Sequence, residues 1–148
     1  MSAVTALTMA FGAGVAMAVQ LGVNVRLGSW TKDAVLAAFV SFFVGTLALA
    51  AYAFATRIPL PSLSDAGKLP LWYWSGGVLG AFVVASAVIV GPRIGSATMF
   101  TLMVAGQVSM SLILDHFGLF GLPQHSISPL RVAGVVLVVL GVVLIRKF

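Results

Sequence analysis

The first 25 residues of the chain contain no charged side chain, and this run constrains the possible folds more than any other feature. An α-helix of that length is roughly 37 Å long, which exceeds the ~30 Å thickness of a bilayer's hydrocarbon core. The run ends at Arg26, where a polar segment begins. We therefore interpret residues 3–25 as a first membrane-spanning helix.

The rest of the sequence repeats this pattern. Its residues are 61% hydrophobic and 7% charged, and the mean hydropathy of +1.16 places the chain among membrane proteins. Further spans are predicted at residues 34–56, 71–90, 96–115 and 129–146. Because the basic residues stand singly between apolar runs, the net charge of +5 indicates interfacial anchors and not a nucleic-acid surface. We expect an all-α polytopic membrane protein, with residues 1–148 as a single five-helix domain.

Two amides interrupt the first span. Gln20 and Asn24 are four residues apart, so their side chains lie on one helical face, and the small Ala16 continues that face. An unpaired amide facing lipid is destabilised by several kcal/mol, as a general estimate. The face therefore looks towards other helices or a polar cavity. Contact with a solute and hydrogen bonding to neighbouring helices are about equally compatible with this pattern.

The fourth span carries a third amide, Gln107, on a face shared with four other side chains. That face consists of Ser96, Phe100, Met103, Gln107 and Ser111. Three intramembrane amides on two helices suggest a neutral, hydrogen-bonding pocket near the middle of the membrane, where transporters place their sites. The candidate solute-binding residues are Gln20, Asn24, Gln107, Phe100, Ser111, Ala16 and Met103.

Charged side chains near the spans are few. Asp115 and Arg131 belong to the same membrane face, which favours an interfacial ion pair over proton coupling through the acid. Asp115 and His116 point ~100° apart on a helix, and the chain has no cysteine, so we expect no metal site. Arg93 lies in an expected tight hairpin, residues 91–95, as a helix-end anchor or a residue at a cavity mouth. No cofactor is expected.

The last span has no polar side chain between its two arginines, Arg131 and Arg146. Its notable feature is a pair of glycines, Gly134 and Gly141, whose seven-residue spacing keeps both on one face. Small residues allow helix backbones to approach closely in a membrane. This pair therefore predicts a helix-packing seam.

Four stretches together resemble the drug/metabolite transporter superfamily, and more closely its family of five-helix inner-membrane exporters. They read GVAMAVQLGVNVRL, WYWSGGVLGAF, GPRIGSATMFTLMVAGQVSMSLILDHFGLFG and GVVLVVLGVVLI. The resemblance covers essentially the whole chain and implies a multi-pass transporter of the bacterial cytoplasmic membrane. The small multidrug resistance branch is similar too. Its last helix has a glycine pair that mediates antiparallel dimerisation, and Gly134 and Gly141 match that pair.

One departure from that branch concerns its mechanism. The branch has a glutamate in the first helix that exchanges a cation for protons, and Gln20 occupies the corresponding position here. An amide does not cycle a proton at physiological pH, so the antiport mechanism does not carry over. The branch's aromatic residues of the penultimate helix are also missing, since Thr98 and Thr101 stand there.

Taken together, these features predict an exporter or facilitator of a small neutral or zwitterionic organic solute, working by alternating access in a dimer. The expected partners are the lipid bilayer, the solute and a second copy, or a paralogue, in the opposite orientation. One side of the membrane would hold five basic side chains and the other three, which predicts only a mild preference for the carboxy terminus in the cytoplasm. A non-transporting assembly protein and a dual-topology channel remain alternatives, and no enzyme activity is expected.

Overall fold

The computed structural model describes residues 2–62 and 66–148, and all regular structure in these residues is helical. Five helices are long and apolar enough to cross a membrane, which confirms the predicted all-α fold with five spans. They are α1 (Ala3–Thr31), α2 (Ala34–Ala55), α3 (Ser75–Ile94), α4 (Ser96–Phe117) and α5 (Pro129–Lys147). Short 3₁₀ turns at Leu71–Trp74 and Leu119–Gly121 precede α3 and follow α4.

Helix α1 continues through Thr31, beyond the expected end at residue 25. Its 29 residues make it roughly 43 Å long, so its ends extend past the hydrocarbon core. The polar residues after Arg26 form its last turns, where the Thr31 hydroxyl donates to the Leu27 carbonyl at 3.0 Å and Trp30 is exposed. Only Lys32, which has a left-handed φ of 59°, and Asp33 separate α1 from α2.

Helix α3 also extends further than expected. It runs through Gly91 and Pro92 to Ile94, so the anticipated five-residue hairpin is reduced to Gly95 between α3 and α4. A proline is tolerated here because it lies in the last turn and removes a single intrahelical hydrogen bond. The break falls at Gly95 because its φ of +85° belongs to a region that favours glycine.

The chain divides into two compact units, Met1–Pro92 and Arg93–Phe148. In the first unit, α1 packs through small residues. A Cβ at Gly28 would lie 2.8 Å from Val88 Cγ1 and 3.8 Å from the Cβ of Ala37, which is itself fully buried. Further along α1, Leu21 lies against Gly91. These glycines let the helix backbones approach closely, as in many membrane bundles.

The second unit is a hairpin of α4 and α5. The half-buried positions of α4 include Ala105, Val108, Leu112 and Asp115, which recur at intervals of three or four residues. Such spacing forms one continuous helical face. Two observations indicate that α5 lies along this face: Asp115 pairs with Arg131, and Ala105 and Val142 line the same groove. The two helices are therefore antiparallel neighbours.

Candidate functional site

The α4–α5 connection is held by a charged pair. Arg131 Nη2 lies 2.8 Å from Asp115 Oδ2, and the two side chains are 35% and 26% exposed. Arg131 Nη1 also donates to the carbonyl oxygen of His125 at 3.1 Å. One guanidinium thus joins the last turn of α4, the loop and the first turn of α5.

Further hydrogen bonds fasten the loop to the end of α4. The backbone N–H of His125 donates to the Asp115 carbonyl at 2.9 Å, and Gln124 Nε2 donates to the His116 carbonyl at 2.9 Å. The Ile127 N–H donates to Nδ1 of His116 at 3.3 Å, which requires an imidazole whose Nδ1 carries no proton. The sequence gives no signal for Gln124 and His125, because both contacts depend on how the loop folds back. The cluster is a structural clamp at a membrane interface.

The two amides of α1 lie in different surroundings. Asn24 is buried, with 4% of its surface exposed, between Leu21 and Gly28 on the packed face of α1, whereas Gln20 is exposed. Neither side chain has a hydrogen-bond partner among the residues that the structure describes. No fully enclosed side-chain nitrogen or oxygen in those residues lacks a partner, so the Asn24 amide retains some accessible surface. Ala16 is exposed as well.

The polar stripe of α4 faces away from α5. Gln107 lies about 160° around the helix from Ala105, which faces α5. Gln107 and Ser111 are exposed, and Phe100 and Met103 are half-buried. The Gln107 amide, too, has no hydrogen-bond partner in the described part of the chain. The stripe belongs to the second unit and the α1 amides to the first.

Several hydroxyl groups of the spans already have hydrogen bonds within their own helices. Thr46 donates to the Phe42 carbonyl at 2.9 Å, Thr101 to the Ala97 carbonyl at 2.6 Å and Ser109 to the Ala105 carbonyl at 2.7 Å. The three amides make no such bond. In a membrane they need a partner supplied by a solute, a neighbouring helix or another chain.

The remaining candidate residues lie on open surfaces. A Cβ at Gly134 or Gly141 would have no neighbour within 4 Å, so the glycine face of α5 is uncovered in the described chain. Arg93 is exposed in the last turn of α3. No three His, Asp or Glu side chains come together as possible metal ligands within residues 2–62 and 66–148.

Comparison with known proteins identifies the family. Residues 5–144 match the family described as "Putative inner membrane exporter, YdcZ". The chain is 26% identical over 143 residues to "Inner membrane protein YdcZ" of Escherichia coli (strain K12), and the match covers 95% of each chain. No solved structure matches the chain. With its five apolar helices, the chain is a multi-pass inner-membrane protein that belongs to this family of inner-membrane exporters.

Proposed function

We propose that the protein exports, or facilitates the movement of, a small neutral or zwitterionic organic solute across the bacterial cytoplasmic membrane. The observation that carries this proposal is the set of three amides, Gln20, Asn24 and Gln107, which have no hydrogen-bond partner in the described residues. A solute with donors and acceptors satisfies amides without needing a countercharge. Membership of an exporter family supports transport as the general activity.

The three amides act as solute ligands in this proposal, and each has neighbours on its own helix face that would contribute to binding. Phe100, Met103 and Ser111 share the face of Gln107 on α4, and Ala16 lies one turn before Gln20 on α1. Asn24 is the most buried of the three amides and lies on the packed face of α1. Ligands on rigid helices keep their geometry while the solute binds.

The same proposal requires a dimer of copies in opposite orientations. Alternating access in related transporters uses two inverted repeats, and a five-helix chain supplies only one of them. In α1, residues 3–20 are exposed at every position except Ala6. In this proposal a partner chain covers part of that exposed surface. The uncovered glycine face of α5 would form the contact between the copies. A paralogue in the opposite orientation would serve in place of a second copy.

Two measurements test the proposal. The first is a thermal-shift screen of the purified protein against a panel of amino acids, sugars, amines and other small metabolites. We expect at least one neutral or zwitterionic solute to stabilise the protein, and Asn24→Ala to abolish this shift while Thr101→Val retains it. Failure of every solute to shift the melting temperature would favour an assembly protein.

The second measurement concerns orientation. Single cysteines placed at either end of this cysteine-free chain report whether each end is accessible from outside intact cells. Labelling of both ends supports insertion in both orientations. One fixed orientation in the whole population would contradict the antiparallel homodimer and require an oppositely oriented paralogue.

A further inference from the structure

A groove lies between α4 and α5 within the second unit. Its cavity volume is about 600 Å³, and Leu102, Ala105, Val139 and Val143 are among its apolar lining residues. Arg146 and Lys147, in the last turn of α5, also line it. The groove therefore combines an apolar trough along the helices with two cations at the helix end, where a span meets the membrane interface.

Within residues 2–62 and 66–148, neither cation forms an ion pair with an acidic side chain. Of the three acids in the chain, only Asp115 belongs to this unit, and it pairs with Arg131 at the opposite end of the hairpin. Lys147 Nζ lies 5.6 Å from the centroid of the Phe148 ring, a cation–π contact that keeps the ammonium group at the end of the groove. The cationic end of the groove is thus suited to an anion at headgroup depth.

The groove lies on the flank of α5 opposite to the glycine pair. Val139 and Val143 are each two residues from Gly141, which places them about 160° around the helix from it. A second copy packed on Gly134 and Gly141 would therefore not cover the groove. This position favours a lipid over a protein helix as its occupant.

We propose that the groove binds one anionic diacyl phospholipid. One of its two acyl chains lies along the apolar side chains, and its phosphate is bound by Arg146 and Lys147. Basic residues at the end of a cleft between spans are the recognised mode of anionic headgroup binding. The site is independent of the amide pocket, since its lining residues are on other helical faces.

The test measures lipid binding to the full-length protein in detergent by native mass spectrometry. The probes are phosphatidylglycerol and phosphatidylcholine with identical acyl chains. We expect phosphatidylglycerol to bind at least tenfold more tightly, and Arg146→Gln with Lys147→Gln to reduce its binding by about tenfold. The matched control, Arg26→Gln with Lys32→Gln, removes the same charge on the same predicted side of the membrane and should leave binding within about twofold of the wild type.

Further variants separate the acyl chain from the headgroup. Ala105→Phe fills the groove and should weaken phosphatidylglycerol binding although both cations remain. If that variant fails to fold, Leu102→Trp makes the same test at a side chain that is 47% exposed. Glycerol phosphate should not displace the lipid. Any one of four results would overturn the proposal. They are equal binding of the two lipids, equal loss of binding in the Arg26/Lys32 control, unchanged binding after the groove is filled, and displacement of the lipid by glycerol phosphate.

Discussion

Arg131 contacts Asp115 with a separation of 2.8 Å between Nη2 and Oδ2, and the pair joins the start of α5 to the end of α4. The same guanidinium holds the His125 carbonyl, so the acid is occupied by a structural contact. This geometry favours a structural ion pair over proton coupling as the role of Asp115.

The ion pair should therefore contribute to stability more than to transport. Both side chains are partly exposed, and such pairs contribute only about 0–1 kcal/mol to the free energy of unfolding. We expect Asp115→Asn to lower the melting temperature by a few degrees while solute flux persists. Proton-driven flux that Asp115→Asn abolishes, with the fold and melting temperature preserved, would instead identify Asp115 as a proton-coupling residue.

The two-residue link between α1 and α2 depends on a helix cap. Asp33 Oδ1 accepts a hydrogen bond from the Leu36 N–H at 2.8 Å, and loss of such a cap costs about 1 kcal/mol. We expect Asp33→Ala to lower the melting temperature in detergent, and the control Asp33→Asn, which retains a capping oxygen, to stay close to the wild type. Equal losses in both variants would show that the charge, and not the cap, stabilises the link.

Close packing at Gly28 makes a sharper prediction. A Cβ there would lie 2.8 Å from Val88 Cγ1, whereas a Cβ at Gly22, on the same helix, would meet nothing within 4 Å. Overpacking of this kind costs about 1–3 kcal/mol. Gly28→Ala should therefore destabilise the protein and Gly22→Ala should not, as measured by thermal unfolding. Val88→Ala should restore part of the loss when combined with Gly28→Ala, and no restoration would contradict this contact.

The glycine pair of α5 tests the proposed dimer. Gly134→Leu with Gly141→Leu should abolish dimerisation because bulk there blocks backbone approach. The hairpin itself should persist, since neither position has a neighbour within 4 Å. Cross-linking and sedimentation in detergent give the oligomeric state. The matched control is Gly106→Leu, because a Cβ at Gly106, on α4, would also have no neighbour within 4 Å. A dimer that survives the double substitution would place the contact on another surface.

The sequence predicts the five spans well because long uncharged runs leave few alternatives in a bilayer. Their ends are harder to predict. Hydropathy marks Arg26 as an end, but the helix continues to Thr31 and ends where Lys32 adopts a left-handed φ of 59°. Likewise, a proline suggests a hairpin at Pro92, although the backbone break depends on the positive φ of Gly95.

The candidate site shows a similar limit. Spacing alone places Gln20 and Asn24 on one face, but it does not show that Asn24 is buried and Gln20 exposed. That difference arises where Leu21 and Gly28 contact α2 and α3, and such contacts join residues distant in sequence. The hydrogen bonds of Gln124 and His125 to the end of α4 could not be predicted from the sequence for the same reason.

Solute flux in proteoliposomes tests the central claim most directly. The measurement uses the solute identified by the thermal-shift screen and compares the wild type with Asn24→Ala, Gln107→Ala and two controls. The controls, Thr101→Val and Ser109→Ala, remove hydroxyl groups that already bond within α4. We expect the wild-type protein to give a flux above that of empty liposomes, and the two controls to retain that flux. Either amide variant should lower the flux about tenfold, because it removes one or two hydrogen bonds to the solute. Absence of wild-type flux, or unchanged flux in both amide variants, would contradict the account.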